Sequence, residues 1–157
     1  MIRPLSIIGL HLTFALLAGE VSASCLPTAT TSEKIAIRAA IDVSAAVFSG
    51  AVTAIEYVKP DGPAVDWSVK LIKVEPDVWW KGPRNKEVTL RTANVRLSDG
   101  RIIEGSEEYS FEVGKKYLIY AVENPYGLYS NRCTRTKMLD AATSDVAALD
   151  ALVGEDR

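Results

Sequence analysis

Residues 65–74, VDWSVKLIKV, carry the reading that decides the fold class. Val65, Trp67, Val69 and Leu71 fall on one side of an extended chain, and Asp66, Ser68 and Lys70 on the other, the period-two alternation of a half-buried strand. After Leu71 the phase changes, because Ile72 and Val74 are now the apolar positions. A β-bulge absorbs such a one-residue slip without turning the apolar set toward solvent, and bulges let small sheets turn corners. The segment therefore suits a small closed barrel, although periodicity alone leaves a sandwich open.

Working outward, VFSGAVTAIEYV from Val47 is rich in β-branched and aromatic residues and ends at Lys59-Pro60-Asp61-Gly62-Pro63, a turn signal. Upstream, Thr30 and Glu33 have capping-box spacing ahead of an amphipathic stretch, predicting a helix over 31–42 whose Ala36, Ile37, Ala40 and Ile41 face covers one end of the sheet. Downstream, Pro76 is expected to stop the ladder before VWWKG. Val88, Leu90 and Thr92 alternate as a third strand, and Ser98-Asp99-Gly100 reads as a hairpin turn. Tyr109, Phe111 and Val113 alternate as a further strand, and Gly114-Lys115-Lys116 makes a turn. KYLIYAV is apolar on both faces, as a central strand would be. Asn124-Pro125-Tyr126-Gly127 leads into a last strand, LYSNRC, and a helix with Ser144 as N-cap closes the chain. The expected interior holds Phe48 or Val47 with Val52, Trp67, Val69 and Leu90. No internal repeat or linker divides this into two domains.

Residues 1–23 read as a signal peptide, the alternatives being an uncleaved N-terminal anchor and cleavage before Cys25 with lipid attachment. Arg3 precedes an apolar run shorter than the roughly 20 residues of a membrane span, and Val21-Ser22-Ala23 is a small-residue cleavage pattern. The expected mature domain is 24–157, secreted or periplasmic, with no stable membrane span after processing. His11 is the only histidine, so the mature chain would hold no imidazole for Ser-His-Asp or Cys-His catalysis or for a histidine-containing zinc site. With 18 basic and 20 acidic residues the chain shows no electrostatic grip on nucleic acid. Cys25 and Cys133 are the only cysteines. In an oxidising compartment such a pair reads first as a disulfide, the alternative being reactive or metal-binding thiols, for which no CxxC is present.

Several pieces in order resemble the bacterial relatives of the tissue inhibitors of metalloproteinases, a netrin-like branch of OB-folds. They are Cys25, Ala46-Val47-Phe48-Ser49-Gly50-Ala51-Val52, Val78-Trp79-Trp80-Lys81-Gly82, Phe111 to Ala121, and Cys133-Thr134-Arg135-Thr136 before a terminal helix. The resemblance implies a mainly β, OB-fold-like Greek-key barrel of five to six strands with an N-terminal and a short C-terminal helix. It implies a secreted binding module whose partner is a secreted or cell-surface protease or another protein. The alternative is an envelope-associated domain that binds a glycan or another protein. It also implies inhibition by chelation of the protease zinc through an N-terminal cysteine. Here Ala23 stands at the matching position, and Glu107 and Glu108 stand where that cysteine's bridge partner is expected. Inhibition is therefore expected to be weak.

The candidate partner contacts are Ser24 and Cys25 at the mature terminus and the adjacent Trp79 and Trp80, which point to opposite faces if extended. Trp67 reads as core. Glu107 and Glu108 read as a solvated edge, since neighbours in one strand cannot flank a single bond as a glycosidase pair does. Neither a catalytic residue nor a cofactor or metal ligand is assigned, and the chain is not expected to be an enzyme.

Overall fold

The computed structural model describes residues 32–60 and 65–155. The protein is a curled, antiparallel, OB-like half-barrel with two helices on its outer face. In chain order the elements are α1 (Glu33–Val43), β1 (Ala46–Val58), β2 (Trp67–Lys81), β3 (Val88–Leu97), β4 (Ile102–Ile103), β5 (Lys116–Asn124), β6 (Gly127–Tyr129), β7 (Lys137–Met138) and α2 (Thr143–Glu155). Short 3-10 turns flank β7. The sheet order β4-β3-β2-β1-β5-β6 is a Greek key, because β5 returns to the free side of β1. The curl brings β6 back against β3 without a ladder between them. A single bridge, Glu108 to Asn131, joins the two margins further along.

The sequence puts the slip after Leu71, whereas the ladder breaks just before Leu71 and the extra residues lie on β3, since Val69 pairs with Val95 and Leu71 with Arg91. The β2–β3 register shifts between Val69 and Leu71, and Val69, Ile72 and Val74 are the buried positions. On the β3 side the Thr92 hydroxyl bridges the irregularity. It donates to the Lys70 carbonyl at 3.2 Å and accepts from the Asn94 amide at 3.1 Å, which keeps buried backbone groups satisfied where the ladder breaks.

Alternation along β1 and β5 divides the apolar residues between two cores. Phe48, Val52, Ile119 and Ala121 meet Ile72, Val74 and Leu90 inside the curl, whereas Val47, Leu118 and Tyr120 point outward beneath Ile37 of α1 and Leu149 of α2. That is why KYLIYAV is apolar on both faces. Phe48, rather than Val47, is thus the interior residue. Helix α1 packs on the outer face instead of covering an opening, because outward Val47 and Tyr120 would otherwise meet water. Val69 is buried outside both clusters, and Trp67 is half-buried at the mouth.

Other expectations are corrected. Pro76 does not stop β2, which runs 15 residues through it. The β1–β2 register shifts beside Pro76, and β3 pairs with β2 only as far as Val74, so Pro76 has no β3 neighbour to bond. Residues 109–113 form no strand, since the Tyr109, Phe111 and Tyr117 rings pack together and the Glu112 amide donates to the Tyr117 hydroxyl at 2.9 Å. The LYSNRC strand ends at Tyr129, because Asn131 caps a 3-10 turn that contains Cys133. Ser32, whose hydroxyl accepts from the Ile35 amide, caps α1. Ser144 lies within α2 rather than at its cap. The signal-peptide reading falls on residues outside the described ones.

Candidate binding groove

The first turn of α2 puts Asp145 under the sheet, fully buried. Arg135 Nε donates to Asp145 Oδ2 at 2.7 Å, Lys137 Nζ to Oδ1 at 3.0 Å, and the Tyr120 hydroxyl to Oδ2 at 3.2 Å. Arg135 also pairs with Glu33, so one guanidinium ties both helices to the sheet. Burial would raise the Asp145 pKa, but the hydrogen bonds and charges of Arg135 and Lys137 outweigh it and hold the carboxyl below the usual range. The cluster is a clamp: every charged oxygen already has its partners.

The open chemistry lies at the mouth of the curl, where β3 and β6 approach without a ladder. A cavity of about 720 Å³ runs beneath the end of β1 and the β5–β6 turn, with Pro60, Trp67, Val69, Leu71 and Leu128 among its walls. A second, of about 400 Å³, continues past β6, where Glu107, Glu108, Asn124, Tyr129 and Asn131 line it. Arg91 and Tyr126 line both and meet where the two adjoin, so the cavities lie end to end along one groove, apolar on one side of that pair and polar on the other. Asn124 Oδ1 accepts from the Tyr126 amide at 2.8 Å, which fixes the turn that carries the ring. The Arg91 guanidinium lies 5.1 Å from the ring centroid, and Tyr126 is nevertheless 71% exposed.

Glu108 stands in the wall between the polar end and a smaller polar cavity behind it. Its side chain is 10% exposed, its nearest cation is Lys70 Nζ at 3.7 Å from Oε1, and Oε1 is buried with no hydrogen-bond partner among the described groups. The solvated-edge reading therefore holds for exposed Glu107 and fails for Glu108, which the Glu108–Asn131 bridge draws inward. Burial pushes the Glu108 pKa up, and Lys70 opposes that. Carbon-detected NMR titration is expected to place the Glu108 midpoint above the usual carboxylate range, and higher still in Lys70→Met. A midpoint unmoved by Lys70→Met would show that the two charges do not interact. Because the folded pKa is raised, this carboxyl contributes stability that is present at low pH and lost as pH rises through its folded midpoint.

No family model and no curated protein matches this chain.

Trp79 and Trp80 do point to opposite faces. The Trp79 ring packs on Phe48 with centroids 4.7 Å apart, inside the curl. The Trp80 indole donates to Asp150 at 2.7 Å and packs beneath the helices. Neither lines the groove. Ser24 and Cys25 lie outside the described residues, and so does their relation to Cys133. Sequence reading overlooked Tyr126 and Arg91, although an aromatic residue at the centre of Asn-Pro-Tyr-Gly was a readable signal that a ring would stand at a turn tip.

Proposed function

We propose that this chain is an exported binding module of netrin-like build, with Cys25 bridged to Cys133, that holds its partner in the groove between Trp67 and Asn131. The observation that carries this reading is that an apolar and a polar cavity adjoin at Arg91 and Tyr126. Concave sites with an apolar bed and a few convergent polar groups are where ligands are held. In OB-folds the face of strands 2 and 3, with the loops after strand 1 and before the last strand, is the usual binding surface, and the groove occupies the corresponding region here. That comparison is an analogy of fold and names no partner. The resemblance to metalloproteinase inhibitors adds a protease as one candidate partner, held weakly for want of a clamped terminal cysteine.

The test is site-specific photo-crosslinking in cells that export the protein. With p-benzoylphenylalanine at position 126, an adduct is expected under irradiation. The same group at Ala39, exposed on α1 and away from the groove, is expected to give none. Adducts from position 39 with none from 126 would move the binding surface to the helices.

A further inference from the structure

Resting on that reading, we propose that the groove takes a neutral oligosaccharide, seated with sugar rings against Tyr126 and the Trp67 end and hydroxyls toward the Glu107–Asn131 end. Three observations lead there. The first is the aromatic content: Trp67 lines one of the two adjoining cavities, Tyr129 the other and Tyr126 both, and Tyr126 is largely open to solvent. A flat ring beside an apolar bed suits a ligand with broad, weakly polar faces, which every pyranose has.

The second is the kind of polar group at the far end. Glu107 and Glu108 carry carboxylates, acceptors only when ionised, and Asn124 and Asn131 add planar amides. Both amide oxygens are already used, by the Tyr126 and Cys133 backbone amides. Asn131 Nδ2 also donates to Glu107 Oε2 at 3.4 Å, so what is left there is the remaining carboxylate oxygens as acceptors and the remaining amide hydrogens as donors. Sugar hydroxyls, each a donor and an acceptor, match such a mixture.

The third is charge, which separates the polymers that might lie in a long groove. Lys59 and Arg91 line the groove against Glu107 and Glu108, and Lys70 stands 3.7 Å from Glu108, so a polyanion such as nucleic acid or a sulfated glycan finds no net positive bed. A polycation meets Arg91 midway along the groove, and its attraction to Glu108 is already answered by Lys70 at 3.7 Å. A neutral chain meets neither penalty.

The experiment is calorimetric titration of the purified chain with cellotriose, maltotriose and chitotriose, beside a heparin-derived hexasaccharide and a chitosan trimer. At least one neutral trisaccharide is expected to bind with a dissociation constant of about 1 mM or tighter, little changed by added salt. Tyr126→Ala should weaken it about tenfold, in keeping with the loss of one stacking platform. Tyr126 is exposed, so this variant is expected to fold, and unchanged thermal unfolding would verify that. No binding by any of the three sugars overturns the proposal, as does binding that survives Tyr126→Ala or a preference for the anionic or cationic probe. A protein or peptide adduct at position 126 in the crosslinking experiment, together with failure of the sugars, would remove the glycan and leave the binding module standing.

Discussion

Replacing Asp145 by Asn or Ala is expected to destabilise the fold by about 2–3 kcal/mol, the scale of hydrogen bonds to a buried charge, because the cations it leaves behind, Arg135 and Lys137, are partly open to solvent. Asp145 is fully buried and accepts from Arg135, Lys137 and Tyr120 together. The loss should therefore fall on the helix–sheet contact as a whole, not on one bond. Asn keeps the shape and one acceptor oxygen but removes the charge, so most of the loss should already appear in Asp145→Asn. Glu33→Gln is the contrasting variant. Glu33 meets the same guanidinium but is 61% exposed, where an ion pair contributes only about 0–1 kcal/mol. Urea unfolding of the three variants checks the ranking, and an Asp145→Asn loss no larger than that of Glu33→Gln would show that the clamp contributes little.

The same cluster sets an acid limit. The Asp145 pKa is depressed in the folded protein, so its contribution is present above the ordinary aspartate range and is lost as pH falls through the lower, folded value. Glu108 works in the opposite direction, its raised pKa favouring the folded state on acidification. Wild-type stability should therefore fall at the acid end more steeply than that of Asp145→Asn, which has lost the group that titrates.

Gly50→Ala is expected to cost about 3 kcal/mol, at the upper end of what overpacking costs in a well-filled interior. A methyl group built at Gly50 would lie 2.4 Å from the Glu75 carbonyl oxygen and 2.8 Å from the Pro76 Cα. Both are backbone atoms of the paired strand, so no side chain can swing aside to make room. The position is also where the β1–β2 register shifts, and the close approach lets β2 carry a proline opposite β1. Gly100→Ala supplies the comparison. Gly100 has open space around it and a φ of +86°, so its cost is conformational, about 1–2 kcal/mol for a residue in the left-handed region. Chemical denaturation of both variants reads the difference, and a Gly50→Ala loss below that of Gly100→Ala would mean that the strands separate there with ease.

Much of the fold was legible before any coordinate. Leu71 followed by Ile72 and Val74 announced an irregularity close to its place, the two-faced KYLIYAV announced the central strand, and Asn-Pro-Tyr-Gly announced its hairpin, because each depends on neighbours within a few residues. The misread elements depend on partners far along the chain. Pro76 reads as a stop, yet its β3-side edge has no strand to bond. Tyr109 and Phe111 alternate like a strand, yet their rings are held by Tyr117. Val47 and Phe48 are adjacent and equally apolar, and only the pairing with Tyr120 and Ile119 decides which faces the interior.

The groove shows the same division. By themselves the residues determined local conformation and composition: a chain without a pronounced charge, whose one histidine lies in the stretch read as a signal peptide. That Glu108 leaves the surface, that Lys70 answers it, and that Arg91 on β3 meets Tyr126 on the β5–β6 turn were decided only when the sheet curled until β6 lay against β3. Periodicity reports which side of its own strand a residue occupies. It carries no information about which distant strand will stand opposite, and the groove is made of such oppositions.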